Sequence, residues 1–233
     1  MAKRPIYIPQ KSGELLVRTE YIEFQWSPGM AVVQKQKSVR ALHEAAISMG
    51  VCINPLEVSS KSLLEIGVKL SAFNLSVTTQ KLKKTFTVES AYQSSKIFEH
   101  GGPYKDLLYS SSREAKKDSR IRESGNLKGF EFFGEKWALE PKTAFYDWLY
   151  INALHKNELA VEQLKKYDAF TDIEFNPERS INCQAYSVAL YKALEWRNLI
   201  CDAIADKAAY LDIVSSVPVN NASENTVIQP RLV

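Results

Sequence analysis

The sequence predicts an α+β fold, mostly helical, with a small antiparallel sheet near the N-terminus. Three observations predict it. Residues 5–34 alternate short apolar and polar runs around turn signals, which reads as strands. Apolar residues recur at helical spacing from Ser38 and again beyond residue 85. The 233 residues are 45% hydrophobic and 11% aromatic, enough apolar material for one large core. A single domain over 1–213 is expected, with 214–233 as a flexible tail because "SSVPVNNASENTVIQPRLV" has no period and few large apolar residues.

In chain order, "YIPQ", "ELLVRTEYIEFQW" and "MAVVQ" give two or three strands, separated by turns at Ser12-Gly13 and Ser27-Pro28-Gly29. "SVRALHEAAISMG" gives a helix: Ser38 is placed to cap, Val39, Leu42, Ala46 and Met49 share a face, and Gly50 stops it. "IGVKLSAFNLSVTT", residues 66–79, is β-rich and predicts a strand or two leading to a loop at Lys81 to Lys84. Thr87 caps a helix of about three turns from Val88 to Glu99, ended by Gly101-Gly102-Pro103. Pro141 suits the first turn of "PKTAFYDWLYINALHK", and Asn157 suits the cap of "ELAVEQLKKY". Two more helices are predicted over "NCQAYSVALYKALEWRN" and "CDAIADKAAYLDIV".

Composition narrows the function. Thirty basic and 27 acidic residues leave a net charge of +3, so any polyanion contact is local. Cys52, Cys183 and Cys201 form no CxxC or Cys/His cluster, which argues against a disulfide framework or zinc site and for a reducing cytoplasm. His43, His100 and His155 share no local spacing that suggests a metal site or nucleophilic triad. No glycine-rich phosphate loop is present, and "GGP" at 101–103 reads as a helix stop. The start lacks a signal peptide's apolar core and no run is long enough to span a membrane, so a cytoplasmic protein with no membrane contact is expected.

"TVESAYQSSKIFEHGG" carries the chemistry. On a continuous helix Glu89, Gln93 and Lys96 share one stripe, with Glu89 and Lys96 about 10 Å apart along the axis. Side-chain tilt towards the N-terminus brings their tips closer, so they can flank one small ligand. The dipole at the helix start favours a Glu89 carboxylate. A carboxylate near a ribose C1′ can stabilise an oxocarbenium-like centre or activate water, and a desolvated lysine can attack an anomeric carbon. A solvated polar face is the other reading of the stripe, and spacing alone does not choose.

The order of motifs resembles the NADAR superfamily, the YbiA-like proteins. The resemblance rests on "LSAFNL" at 70–75, "TVESAYQSSKIF" at 87–98, "SREAKKDSR" at 112–120 and "GEKWAL" with Trp137. These lie in a motif-bearing core of 65–190, with 1–64 a divergent N-terminal part. The resemblance implies hydrolysis of N-glycosidic bonds to ribose with Glu89 and Lys96 as catalytic residues, Lys96 forming an imine with the opened sugar. It places Phe73, Asn74, Tyr92, Gln93 and Trp137 against the ligand, and Lys116 and Arg120 near its phosphates. Ser90 stands where the family has histidine, and Ala72-Phe73-Asn74 replaces "SNF". The late acidic element is not recognisable; Asp172 or Glu174 could supply the acid and Asn182 a polar group.

The leading expectation is an N-glycosidase that releases ADP-ribose from guanine bases or nucleic acid, with ADP-ribose or a nucleotide-like ligand, and ADP-ribosylated DNA or RNA, as expected partners. No cofactor or metal is expected. The alternatives are an N-glycosidase of a ribosylamino-pyrimidine phosphate, a non-catalytic NAD or ADP-ribose-binding module, and a partner-binding subunit using the N-terminal strands.

Overall fold

The first strand, β1 (Ala2–Pro9), sets the layering. Alternate side chains leave a strand on opposite faces, and here Ile6 and Ile8 enter one core while Tyr7 enters another. The computed structural model describes residues 1–79, 83–178 and 180–215 and is α+β. β2 (Val17–Phe24) pairs antiparallel with β1 along its length, from Ala2↔Phe24 to Pro9↔Val17. The expected third strand is helical instead: "MAVVQ" runs into α1 (Val32–Ser48). Ser38 sits inside that helix, where its hydroxyl accepts a hydrogen bond from the Ser27 N–H at 3.0 Å, so it is a tether and not a cap. α1 packs Val39, Leu42 and Ala46 into the smaller core with Ile6, Ile8, Ile22 and Phe24.

After β3 (Pro55–Glu57), the segment expected as strand forms the short helix α2 (Glu65–Lys69). Gly67 explains the difference. A β-carbon there would lie 2.0 Å from the Glu57 carbonyl oxygen, so the tight return onto β3 needs a residue without one. The strand expectation survives as β4 (Ser76–Thr78), paired antiparallel with β5 (Thr85–Thr87). Part of the predicted intervening loop, Lys81 and Leu82, lies outside the described residues.

α3 (Val88–Ser94) starts where predicted but ends early. Ser94 and Ser95 both donate their hydroxyls to the Ala91 carbonyl, at 3.1 and 2.7 Å, competing with the backbone ladder at the last turn. The chain then straightens into β6 (Lys96–Phe98), so Lys96 belongs to a strand. A 3₁₀ turn (Lys105–Tyr109), α4 (Ser112–Lys117) and α5 (Arg120–Glu123) lead to β7 (Leu127–Phe132) and β8 (Glu135–Trp137), which complete a sheet of order β6-β7-β8.

Pro141 lies in the turn before the next helix, not in its first turn. Thr143 takes a left-handed φ of 68°, which breaks the helical run, and α6 (Ala144–His155) starts after it. Asn157 caps α7 (Glu158–Leu164) by accepting from the Ala160 N–H at 3.2 Å. β9 (Ala169–Thr171) inserts between β1 and β3, giving the order β2-β1-β9-β3 with β3 and β9 parallel. α8 (Gln184–Trp196) packs on β1 and β9 and against α6, and the larger core fills the space between them. α9 (Ile200–Ala205) and α10 (Lys207–Ser215) follow. The expected tail begins inside α10, at Val214 and Ser215; residues 216–233 lie outside the described residues.

Candidate functional site

The N-terminus of α3 is held by a capping box. The Thr87 side chain accepts from the Ser90 N–H at 3.1 Å, and Ser90 Oγ accepts from the Thr87 N–H at 3.0 Å. Ser90, at the position of the family's histidine, therefore serves the cap. Thr87 Oγ1 also lies 2.7 Å from Ser112 Oγ, which donates to the Phe73 carbonyl at 2.8 Å. These bonds dock the start of α4 beside the start of α3 and bring Lys116 Nζ to 3.6 Å from Glu89 Oε1.

Glu89 is 6% exposed, and the same oxygen accepts from Gln93 Nε2 at 2.9 Å. Gln93 is equally buried, and its own Oε1 has no partner among the described residues. A buried amide oxygen beside a carboxylate is costly to leave unpaired, and is suited to accept a hydrogen bond from a ligand hydroxyl or N–H.

Lys96 reaches the same region from β6. It pairs across the strands with Phe130, so the two side chains leave one face of the sheet. Its Nζ lies 4.7 Å from the centroid of the Tyr92 ring. Burial lowers the Lys96 ammonium to about 8, overriding the upward pull of Glu89, and Lys116 lowers it further. Lys192, also brought to about 8 by burial, provides the comparison. Its amine donates to the carbonyls of Leu164, Lys165 and Tyr167 and closes the end of α7. Lys96 has no hydrogen-bond or ion-pair partner among the described residues, so its amine is available for chemistry.

Beyond Tyr92 opens a cleft of about 240 Å³, walled by Tyr92, Phe130, Phe145 and Tyr146, with Thr143 and Asn182 on its lining. Asn182 Nδ2 donates to Tyr92 Oη at 2.6 Å, joining two expected ligand residues. Tyr92 and Phe130 thus each adjoin Lys96 and line the cleft.

The other expected residues divide. Phe73 carries Lys116 Nζ 4.9 Å from its ring centroid and stands beside the carboxylate. Asn74 is exposed and donates to the Val68 carbonyl at 2.8 Å, which fixes a turn. Arg120 does not share a helix with Lys116, since α4 ends at Lys117. Its guanidinium binds Asp106 and Asp118 and stacks on Tyr104, so its donors are already occupied. Trp137 does not line the cleft: it lies behind Phe145 with Trp148 and Tyr210 in the core. Glu174 pairs with Lys35 at 3.1 Å, on the α1 side of the molecule.

Asp172 reaches the site indirectly. Its Oδ2 accepts from Gln184 Nε2 at 2.9 Å, Gln184 Oε1 accepts from the Ala72 N–H at 2.7 Å, and the Ala72 carbonyl accepts from the Glu89 N–H at 3.0 Å. Gln184 is thus a support that sequence reading missed, as are Tyr146, Thr143 and Asp147. The motif order carried no signal for them, because they come from α6, the turn before it and α8, far along the chain. Among the described residues, no three His, Cys, Asp or Glu side chains form a metal-binding group, and no helix is long and apolar enough to cross a membrane.

An α+β fold that sets a buried carboxylate and a desolvated amine beside an aromatic cleft defines a protein equipped for polar chemistry on a small ligand. Residues 2–224 match the DarT1-associated NADAR antitoxin model, and the chain belongs to that family of NADAR proteins. No curated protein matches it. The family relation supports an ADP-ribose-related role of glycohydrolase type.

Proposed function

We propose that the protein is an N-glycosidase that releases ADP-ribose from guanine bases, including bases carried in nucleic acid. One observation carries this reading: Lys96 is desolvated, has no hydrogen-bond partner among the described residues, and lies within the electrostatic reach of the paired Glu89 and Lys116. The family relation, to antitoxins associated with DarT1, supports the ADP-ribose part.

In the proposed reaction the neutral Lys96 amine gives its lone pair to the ribose C1′. The bond from C1′ to the base breaks, and its electron pair leaves with the base, which takes up a proton. The new nitrogen–C1′ adduct loses a proton as the ring C1′–O4′ bond opens, leaving an imine and a 4′-hydroxyl. Water then adds to the imine carbon and the amine departs, restoring Lys96 and freeing ADP-ribose. The Glu89 carboxylate stabilises positive charge at C1′ and serves as the acid/base group. Gln93 orients Glu89, and its second amide atom accepts from the sugar.

A second substrate rests on a specific observation. Of the two cations assigned to phosphates, Lys116 reaches the site and Arg120 is already bound by carboxylates. One cation suits a monophosphate, such as a ribosylamino-pyrimidine phosphate. Turnover of that compound and of ADP-ribosylated guanosine, measured side by side, separates the two. Faster release of ADP-ribose supports the reading given first; saturable binding of both with no product from either contradicts any glycosidase activity.

A further inference from the structure

The turn that joins β7 to β8 holds an aromatic ring in solvent on strained backbone. Phe133 and Gly134 connect the two strands, and both have positive φ, 47° and 89°. Asn-Gly suits such a turn, because asparagine tolerates the left-handed conformation and a bulky side chain does not. Phe133 is also 65% exposed, so burial of its ring does little to offset the strain. Two other left-handed residues have local reasons. Thr143 Oγ1 donates to the buried Asp147 Oδ2 at 2.6 Å, and Ser187 Oγ holds Asp147 Oδ1 at 2.5 Å. Asn198, just after α8, is of the tolerant type. Phe133 has neither support, and strain of this kind gathers where a side chain is presented to a ligand.

The neighbours of the ring define the ligand. Phe133 packs edge-on against Phe132, with ring centroids 4.5 Å apart, and lies 6.2 Å from Phe86. Phe86 is in β5, three residues before Glu89, so the aromatic group adjoins the strand that leads into α3. Just before β5, Lys84 Nζ lies 4.8 Å from the centroid of Tyr109, a second exposed ring. Lys83 and Lys84 before β5 and Lys136 in β8 are exposed, with Glu135 as the opposing charge; Glu131 is already paired with Lys105 at 3.0 Å. The patch is aromatic and net positive. An exposed ring offers its face to any nucleobase, and nearby lysines neutralise the phosphates between bases. An apolar protein surface would desolvate those ammonium groups without pairing them, so the combination favours a polyanion.

We propose that this patch binds single-stranded nucleic acid, with an unpaired base that flanks the modified nucleotide stacked on Phe133 and phosphates against Lys83 and Lys84. Phe133 then sets a preference for substrate carried in a strand over the free nucleoside. The link to a modified nucleotide rests on the N-glycosidase reading; binding of the strand itself does not.

The test is fluorescence anisotropy with a labelled, unmodified DNA single strand of about 12 nucleotides. It is joined by kinetics on ADP-ribosylated guanosine, free and within that strand, for the intact protein and Phe133→Asn. Asparagine removes the ring and suits the turn, so Tm should hold or rise and lost binding cannot come from unfolding. The strand should bind the unmodified protein saturably and Phe133→Asn at least fivefold more weakly, with Phe133→Trp close to the unmodified protein. Lys84→Ala should weaken binding and flatten its dependence on salt. In Phe133→Asn the KM for the modified strand should rise at least fivefold, while that for the free nucleoside changes less than twofold. Equal strand affinity in Phe133→Asn, or no strand binding to the unmodified protein, as a surface for a protein partner would give, overturns the proposal. Turnover of both substrates with KM values indifferent to Phe133 overturns it and leaves the glycosidase reading standing. Strand binding that depends on Phe133, without turnover of either substrate, overturns that reading and leaves the patch as a strand-binding surface.

Discussion

Gly102 packs against the backbone of Lys96 so closely that a β-carbon at Gly102 would lie 2.1 Å from the Lys96 carbonyl oxygen. Gly102 also has φ +82°, a conformation that strains any other L-residue. The glycine that reads as a helix stop thus seats the strand carrying the proposed nucleophile. Gly102→Ala is expected to destabilise the protein by about 1–3 kcal/mol and to lower kcat more than it weakens ADP-ribose binding. Thermal melts and single-turnover rates check it; an unchanged Tm and kcat would show that the strand tolerates the shift.

The lowered ionisation of Lys96 predicts a pH–rate profile. Attack requires the neutral amine, so kcat/KM should rise with pH and level off above about 8. Lys116 lowers the same group, so Lys116→Ala should move the rising limb to higher pH. A limb that stays in place in Lys116→Ala, or a rate falling from pH 6 to 8, argues against Lys96 as nucleophile.

Glu89→Gln keeps the size and a hydrogen-bonding oxygen beside Gln93 and removes the charge. The rate should fall by about 10²–10⁴ while the fold and ADP-ribose binding persist. Steady-state kinetics with circular dichroism on the same sample decides; a loss under threefold removes Glu89 from the chemistry.

Stability should also depend on pH. Burial raises Asp147 to about 7, and burial also raises Glu57 and Asp172, two carboxyls that lie near each other. A carboxyl whose folded value is raised contributes stability below its unfolded value, near 4, and loses it as pH rises through the folded value. His43, lowered to about 4 by burial, acts oppositely, adding stability as pH rises from about 4 to 6.5. Above about 6.5 the carboxyls dominate until Lys96 and Lys192, both lowered to about 8, begin to add stability, so Tm should fall by about 1–4 °C between pH 6.5 and 7.5. A rising Tm over that interval contradicts this, and Asp147→Asn should flatten the fall.

Much of the fold could be read in the sequence where local signals act alone. Thr87 and Asn157 cap helices as their side chains dictate, and the helix expected over "NCQAYSVALYKALEWRN" forms as α8, while the single helix expected over "CDAIADKAAYLDIV" is split at the extended Asp206 into α9 and α10. The misreadings arose where distant contacts prevail. The β-rich "IGVKL" is helical because Gly67 packs on β3, and the stripe from Glu89 to Lys96 is broken because β7 offers Lys96 a strand partner. The continuous helix expected from Glu89 to Lys96 does not form; the motif that names both residues holds, and a helix end followed by a strand brings them to the same region. Thr143, Asp147 and Gln184 could not be read, since their roles depend on contacts between elements far apart in sequence.

The central claim is that Lys96 forms a covalent bond to the sugar. Borohydride reduction during turnover of ADP-ribosylated guanosine, followed by peptide mass spectrometry, tests it most directly. A stable ADP-ribose adduct on Lys96, lost in Lys96→Ala together with turnover, is the predicted result. Undiminished turnover in Lys96→Ala, with no adduct on Lys96 in the unmodified protein, would contradict it.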